Sequence, residues 1–256
     1  MEVLNDLLGY RDLKIFQDDE WFKFSLESVL LPNFVKINLK DKMIMDFCTG
    51  NAPIPLILTT KTKATIYAME LQKDVYSLAL KSVNYNNLEN RITLINDDIR
   101  NVNKYFADDS FDLVTVNPPY FKANDHSIVN ENIQKRLARH EGDLNLEDVI
   151  KSAFRILKTN GRLALVHRTE RFFEICDVLK KHGFAIKRLQ FIYPNEGGES
   201  KLFMVEASKN GKDGLKLLPP LFVHNNDGTY RDEIMNMLKG WFNEINCWLG
   251  KSWQWI

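Results

Sequence analysis

Asn117-Pro118-Pro119-Tyr120 sets an amide, a carbonyl and an aromatic ring side by side in four consecutive residues. They follow Phe111-Asp112-Leu113-Val114-Thr115-Val116, which reads as a buried strand. Two successive prolines neither extend a sheet ladder nor open a regular helix, so the strand stops here. Pro119 pushes Pro118 into an extended conformation, which turns the Pro118 carbonyl outward. The Asn117 side-chain oxygen and that carbonyl then offer two acceptors to one NH2 group. They do so at the carboxyl end of a strand, where open α/β sheets bind ligands. An amine conjugated to a π system is a poor nucleophile. Hydrogen bonds that strengthen as its nitrogen becomes tetrahedral expose the lone pair. Tyr120 would stack on the ring that carries the amine, worth about 1–3 kcal/mol per base. The expected chemistry is transfer of a methyl group to a planar amine, with Asn117, Pro118 and Tyr120 as catalytic residues. It needs neither a metal nor a covalent nucleophile. A double-proline strand exit with no chemistry is the plain alternative.

A second constellation suits the methyl donor. Asp46-Phe47-Cys48-Thr49-Gly50-Asn51-Ala52 follows an earlier strand, and Glu70 closes the next strand 20 residues beyond Gly50. This is the layout of a first βα turn with a ribose-binding acid. A nicotinamide enzyme would carry three glycines here to cradle a pyrophosphate, whereas this turn has one and is followed by Pro53 and Pro55. An acid opening a glycine-poor turn suits a ligand without phosphates and with positive charge, namely S-adenosylmethionine. Asp46 would face its methionine end, and Gly50 would allow close approach of the backbone. Glu70 would accept both ribose hydroxyls. Asp97-Asp98-Ile99 would meet the adenine, through its amine and its ring face. The candidate cofactor contacts are therefore Asp46, Thr49, Gly50, Asn51, Glu70, Asp97, Asp98, Ile99 and Asn117. Each has a bland counterpart: Glu70 as a solvated strand-end acid, Asp98 as a cap for the turn after it, Gly50 as a tight turn.

The elements that must position these groups alternate. Strands are expected at Lys42–Phe47, Ala64–Met69, Ile92–Ile95, Phe111–Val116 and Gly161–Val166, with closing strands at Phe184–Tyr193 and Lys201–Glu206. Helices are expected at Pro53–Thr60, Lys73–Asn87, Leu146–Lys158 and Glu170–His182. Such alternation implies an α/β fold, a mostly parallel sheet with helices on both faces. Residues 1–38, with Phe22, Phe24, Leu26, Val29, Leu30, Leu31 and Phe34, read as a mostly helical segment packed on the body. Residues 39–230 form the main domain. Residues 231–256 form an aromatic helical tail, in which Ile234, Leu238, Trp241, Ile245 and Trp248 recur at helical spacing. Ala123–Gly142 is a long polar segment beside the candidate site.

Acidic and basic residues balance at 34 each, so any nucleic-acid partner must be held by a local patch. Three widely spaced cysteines argue against a disulfide framework or a zinc site and fit a reducing cytoplasm. Neither a signal peptide nor an apolar run of membrane-spanning length is expected. Lys135, Arg136, Arg139 and His140 make a basic run after the double-proline turn. Arg168 and Arg171 would converge on the same rim, a patch able to hold phosphates while a base is flipped into the pocket.

Taken together, these residues resemble the class I amino-methyltransferases that act on adenine or glutamine nitrogen, with a Rossmann-like, mostly parallel seven-stranded sheet. More narrowly, the chain resembles the bacterial tRNA1(Val) (adenine-N6)-methyltransferases. The likeness lies in Lys14-Ile15-Phe16-Gln17, Phe24–Leu31, Asp46–Leu58, Asn117–Lys122, Ala138–Glu141, Val166–Arg171 and Gly228-Thr229-Tyr230, and spans about residues 10–230. It implies methylation of the adenosine beside the anticodon of a tRNA. It also implies S-adenosylmethionine as cofactor, with substrate RNA touching Pro119, Phe121, Lys135, Arg136, Arg139, His140, Arg168 and Arg171. A glycine is usual where Ala52 stands, and an aspartate near Glu27. The rival readings are a glutamine-N5 methyltransferase acting on a release factor, and a non-catalytic RNA-binding module that keeps the fold.

Overall fold

A computed structural model describes residues 1–7, 10, 12–18, 25–118 and 144–238. Pro119, Tyr120, Phe121, Lys135, Arg136, Arg139 and His140, with the tryptophan-rich tail beyond Leu238, lie outside the described residues.

Seven strands make the main sheet: β3 (Met43–Phe47), β4 (Thr65–Met69), β5 (Ile92–Ile95), β6 (Phe111–Val116), β7 (Leu157–Arg168), β8 (Phe184–Tyr193) and β9 (Leu202–Lys209). Their spatial order is β8-β9-β7-β6-β3-β4-β5. All neighbours from β7 to β5 run parallel, and β9 enters antiparallel between β7 and β8. Two-residue strands at Lys216–Leu217 and Leu221–Phe222 pair with β8 and extend the sheet beyond the seven strands expected. The chain runs outward from β3 through β4 to β5, then returns to lay β6 on the other side of β3. The sheet therefore switches direction between β3 and β6, which opens a crevice outside their carboxyl ends.

Alternation along each strand divides the core. Ile44, Ile66, Leu113, Ala164 and Val166 point to one face, where they meet α1 (Glu27–Phe34), α2 (Pro53–Thr59) and the N-terminal strands. Met45, Phe47, Val114, Val116, Leu163 and Leu165 point to the other face, against α4 (Leu146–Ile156) and α5 (Phe172–Lys181). Helix α3 (Lys73–Tyr85) buries Val75, Leu78, Ala79, Ser82 and Val83, one stripe at helical spacing. A capping box sets the start of α4: the Asn145 side chain accepts from Asp148 N at 2.9 Å, and Asp148 caps back.

The N-terminal segment departs from expectation. It is not mostly helical: β1 (Glu2–Asp6) and β2 (Lys14–Asp18) form an antiparallel hairpin, and only α1 of the described residues is helical. The hairpin docks through side chains of α3. Asn86 accepts from Lys14 N at 2.9 Å and donates to Lys14 O at 2.7 Å, while Ser82 accepts from Phe16 N at 2.9 Å. These bonds satisfy backbone groups that a third strand would otherwise pair, so a five-residue strand survives at an edge. In the C-terminal segment α6 (Asp232–Met237) buries Ile234 against the first core.

Candidate active site at the strand switch

Sheet register brings the site together. Phe47 pairs with Met69 and with Val116, and Val116 with Leu165, so β3, β4 and β6 end in line and β7 runs three residues further. The residues just beyond are Cys48–Asn51, Glu70, Asn117 and Val166–Arg168, and the first three groups flank the switch.

The turn after β3 is tightly wound. Cys48, Gly50 and Ala52 have φ of 54°, 60° and 71°, all left-handed. A Cβ on Gly50 would meet nothing within 4 Å, so this backbone faces open space. Ala52, the residue before α2, is fully buried in the conformation that glycine adopts most easily. The usual glycine there thus has a backbone reason, and alanine carries about 1 kcal/mol of strain in its place. Thr49 N donates to Met69 O at 3.0 Å and locks the turn to the end of β4.

Two buried carboxylates stand on this turn. Asp46 is fully buried in β3, and Thr115 of β6 donates to its Oδ1 at 2.6 Å. Burial, reinforced by nearby Glu70, raises its pKa to about 7 against the pull of the Thr115 and Thr49 hydroxyls. Glu70 accepts from Gly50 N through Oε2 and from Gln72 N through Oε1, both at 2.9 Å. Burial also lifts Glu70 to about 7, although those N–H groups favour its charged form. Asn96 donates to Glu70 O at 2.8 Å and fixes the backbone beneath it.

Three buried polar atoms in this short stretch make no well-aligned hydrogen bond among the described residues: Asp46 Oδ2, Thr49 Oγ1 and Asn51 Oδ1, although the Thr49 hydroxyl lies near enough to Asp46 to favour its charged form. Buried polar atoms are rarely orphaned, and three together mark a place where a ligand supplies donors. Such a ligand carries N–H donors and positive charge at the turn, and hydroxyls at Glu70, each oxygen of which has a lone pair to spare. S-adenosylmethionine, with its ammonium, sulfonium and ribose diol, fits these groups.

Beyond β5 the geometry is different. Asp97 is engaged: its Oδ1 accepts from Asp98 N and Asn101 Nδ2, and its Oδ2 from Tyr105 OH at 2.8 Å. Asp98 caps the 3-10 turn Ile99–Lys104, accepting from Arg100 N at 2.8 Å, and pairs with the Arg100 guanidinium at 2.6 Å. Ile99 is buried in the second core. Arg100 N, Nε and Nη2 all donate to Asp98, so both acids are engaged by the turn itself.

On the β6 side, Asn117 follows Val116 and its Nδ2 donates to Ser28 Oγ of α1 at 3.2 Å. Pro118 is buried beside it. At the β7 end, His167 is buried and its Nδ1 accepts from Arg168 N at 2.8 Å. Burial, with Arg171 close by, lowers its pKa to about 4, so it stays neutral. Arg171 donates to both oxygens of Glu174, at 2.9 and 2.6 Å, and Arg168 lies 3.8 Å from Glu170. Both arginines sit on the same edge as Asn117, each beside an acid. Thr115, Ser28 and Asn96 were not singled out by the sequence. A threonine inside an otherwise apolar strand was the available signal for the first.

Comparison with known proteins agrees with this architecture. The methyltransferase small domain family model matches residues 26–187, from α1 into β8. The chain belongs to that family of methyltransferases. Among curated relatives, a protein from Tolumonas auensis named tRNA1(Val) (adenine(37)-N6)-methyltransferase is 29% identical over 202 residues, covering 78% of this chain and 82% of its own. One of the same name from Bacteroides thetaiotaomicron is 24% identical and covers 91% and 90%. Of solved structures, a predicted O-methyltransferase from Agrobacterium tumefaciens superposes with a TM-score of 0.66 at 21% identity, covering 82% of this chain and 95% of that one. TYW2 from P. horikoshii, crystallised with MeSAdo, gives 0.56 at 14% identity over 82% and 72%. Both share the fold.

Proposed function

We propose that the protein methylates the exocyclic N6 amine of an adenosine in tRNA, the one beside the anticodon, using S-adenosylmethionine. One observation carries the reading. The turn with three orphaned polar atoms and Asn117 end adjacent strands, β3 and β6, on either side of the switch. Donor and acceptor sites therefore share one crevice. The names of the relatives, at 78–91% coverage of this chain, support the substrate.

When bound, S-adenosylmethionine supplies an electrophilic methyl group. The chain's own residues do the rest. Asp46, Thr49 and Asn51 hold the amino-acid end, with Asp46 ionised by the cation it meets. Glu70 anchors the ribose and, through Gly50 N, ties that anchor to the turn. The Asn117 oxygen and Pro118 carbonyl accept the two N–H groups of the adenine amine. These bonds shorten as the nitrogen loses conjugation, so they favour the transition state over the bound substrate. No residue needs to remove a proton before transfer, because the methylated nitrogen is strongly acidic and loses its proton to water. His167 is neutral, and its Nδ1 is taken by Arg168 N.

The test is single-turnover methylation of tRNA from a strain lacking this protein, followed by nucleoside mass spectrometry. N6-methyladenosine at the position beside the anticodon is expected. No methylated adenosine in the tRNA, with methyl transfer instead to the glutamine of a release factor offered in a parallel assay, overturns the reading.

A further inference from the structure

We infer that the N-terminal segment orients the two amides of the site, and that Ser28 is a positioning residue for Asn117. An asparagine side chain is a donor at one end and an acceptor at the other, and the two ends are nearly equal in shape. A clamp for an NH2 group works only if the oxygen faces the substrate. Turned by 180°, the same side chain presents N–H to N–H. Something must therefore hold the NH2 end.

That holder is the N-terminal segment in both cases. Asn117 Nδ2 donates to Ser28 Oγ at 3.2 Å, and Asn51 Nδ2 donates to Phe16 O at 2.8 Å. Asn51 is 1% exposed, and with its NH2 taken by Phe16 its orphaned Oδ1 can only serve as an acceptor. Ser28 is 3% exposed, so water does not compete for its hydroxyl. Its helix, α1, packs on α2, the helix that the cofactor turn leads into, and on β7. β2 is pinned to α3, the helix that follows Glu70, through Ser82 and Asn86. One segment thus reaches the donor half through Phe16 and the acceptor half through Ser28. It fixes the polarity of Asn51, because a carbonyl only accepts, and holds Asn117 in place through the Ser28 hydroxyl. Phe16 lies outside the residues 26–187 that define the family domain.

The inference rests on the amine-methylating reading, and the control separates the two. Wild-type protein must first transfer methyl to unmodified tRNA; without transfer the functional reading itself fails. Ser28→Ala then removes the hydroxyl and leaves room. Ser28→Thr and Ser28→Val share one shape and differ only in keeping or losing it. With positioning, Ser28→Ala lowers the single-turnover rate roughly tenfold, as loss of one oriented hydrogen bond does. The S-adenosylmethionine Kd stays within about twofold of wild type, and the Thr variant outpaces the Val variant by a similar factor. A purely structural role loosens α1 against α2 and raises the cofactor Kd along with the loss of rate. That pattern, equal rates for Thr and Val, or an undiminished Ala variant would each overturn the inference.

Discussion

The donor half of the crevice and its β7 rim are held in opposite ways. At the ends of β3 and β4, Asp46 and Glu70 are 0% and 7% exposed, and their partners are backbone N–H groups or a buried hydroxyl. At the end of β7, the Arg168 and Arg171 side chains are 18% and 15% exposed, but the glutamates they pair with are 67% and 45% exposed, and Phe173 beside them is 80% exposed. Buried, preorganised groups give affinity for one small ligand because nothing has to rearrange when it arrives. An arginine whose acid partner is solvated can exchange that partner for a phosphate. On the proposed function, the donor half suits a fixed ligand and the rim a large polyanion that lands and leaves.

The sharpest way to break this contrast is at the switch itself. Asn117→Ala is expected to lower the single-turnover rate by about 10²–10³, the usual cost of one preorganised group at a reacting atom. Cofactor affinity should stay unchanged, because the donor half is intact. Equal losses of rate and affinity would merge the two halves. Next comes Glu70→Gln. Both oxygens accept backbone N–H groups, so an amide must set its NH2 against Gly50 N or Gln72 N. About 1–3 kcal/mol of stability should go, visible in urea unfolding, with roughly 10- to 100-fold in cofactor Kd. A neutral outcome would show that these bonds do not hold the turn.

The two raised carboxylates make the contrast visible in pH. In the folded, ligand-free protein both sit near 7, above the usual carboxylate range. Their contribution to stability is complete at acid pH and is lost as pH rises from the unfolded value through about 7. A cation at Asp46 and hydroxyl donors at Glu70 favour the ionised forms, so binding should release protons near neutrality. Affinity should be several-fold weaker at pH 6 than at pH 8, and calorimetry in buffers of different ionisation enthalpy would read the protons. Proton uptake would contradict the assignment.

At the rim the effects are smaller. Arg168→Ala or Arg171→Ala should weaken tRNA binding about two- to fivefold and flatten its salt dependence by about one unit, leaving cofactor binding alone. The smallest change strengthens the protein: Ala52→Gly should relieve the left-handed strain and add about 0.5–1 kcal/mol in thermal or urea unfolding.

Much of the donor half was legible because it rests on residues whose types are demanding. An acid in a buried strand, a glycine in the turn and an acid 20 residues on leave few interpretations, and the alternation around them gave the parallel sheet. Phe184–Tyr193 was read to the residue, and Lys73–Asn87 ends two residues later than helix α3. The hairpin was not legible. Five-residue strands with no buried position in β1 and two in β2 carry little periodicity, and β2 is fixed by Asn86 and Ser82, some 70 residues away. Ser28 was hidden for the same reason: its partner lies 89 residues further along. The cap at Asp98 was weighed as the plain alternative to an adenine contact, and the cap is present. The basic run 135–140 and the double proline's second half, outside the described residues, remain readings of sequence.

The claim beneath all of this is that one crevice, between the ends of β3 and β6, holds donor and acceptor together. A crystal structure with S-adenosylhomocysteine tests it most directly. The amino group should lie on Asp46, Thr49 and Asn51, the ribose hydroxyls on Glu70, and the sulfur should face the Asn117 oxygen. A ligand seated elsewhere, or with its sulfur turned away from Asn117, would contradict the account.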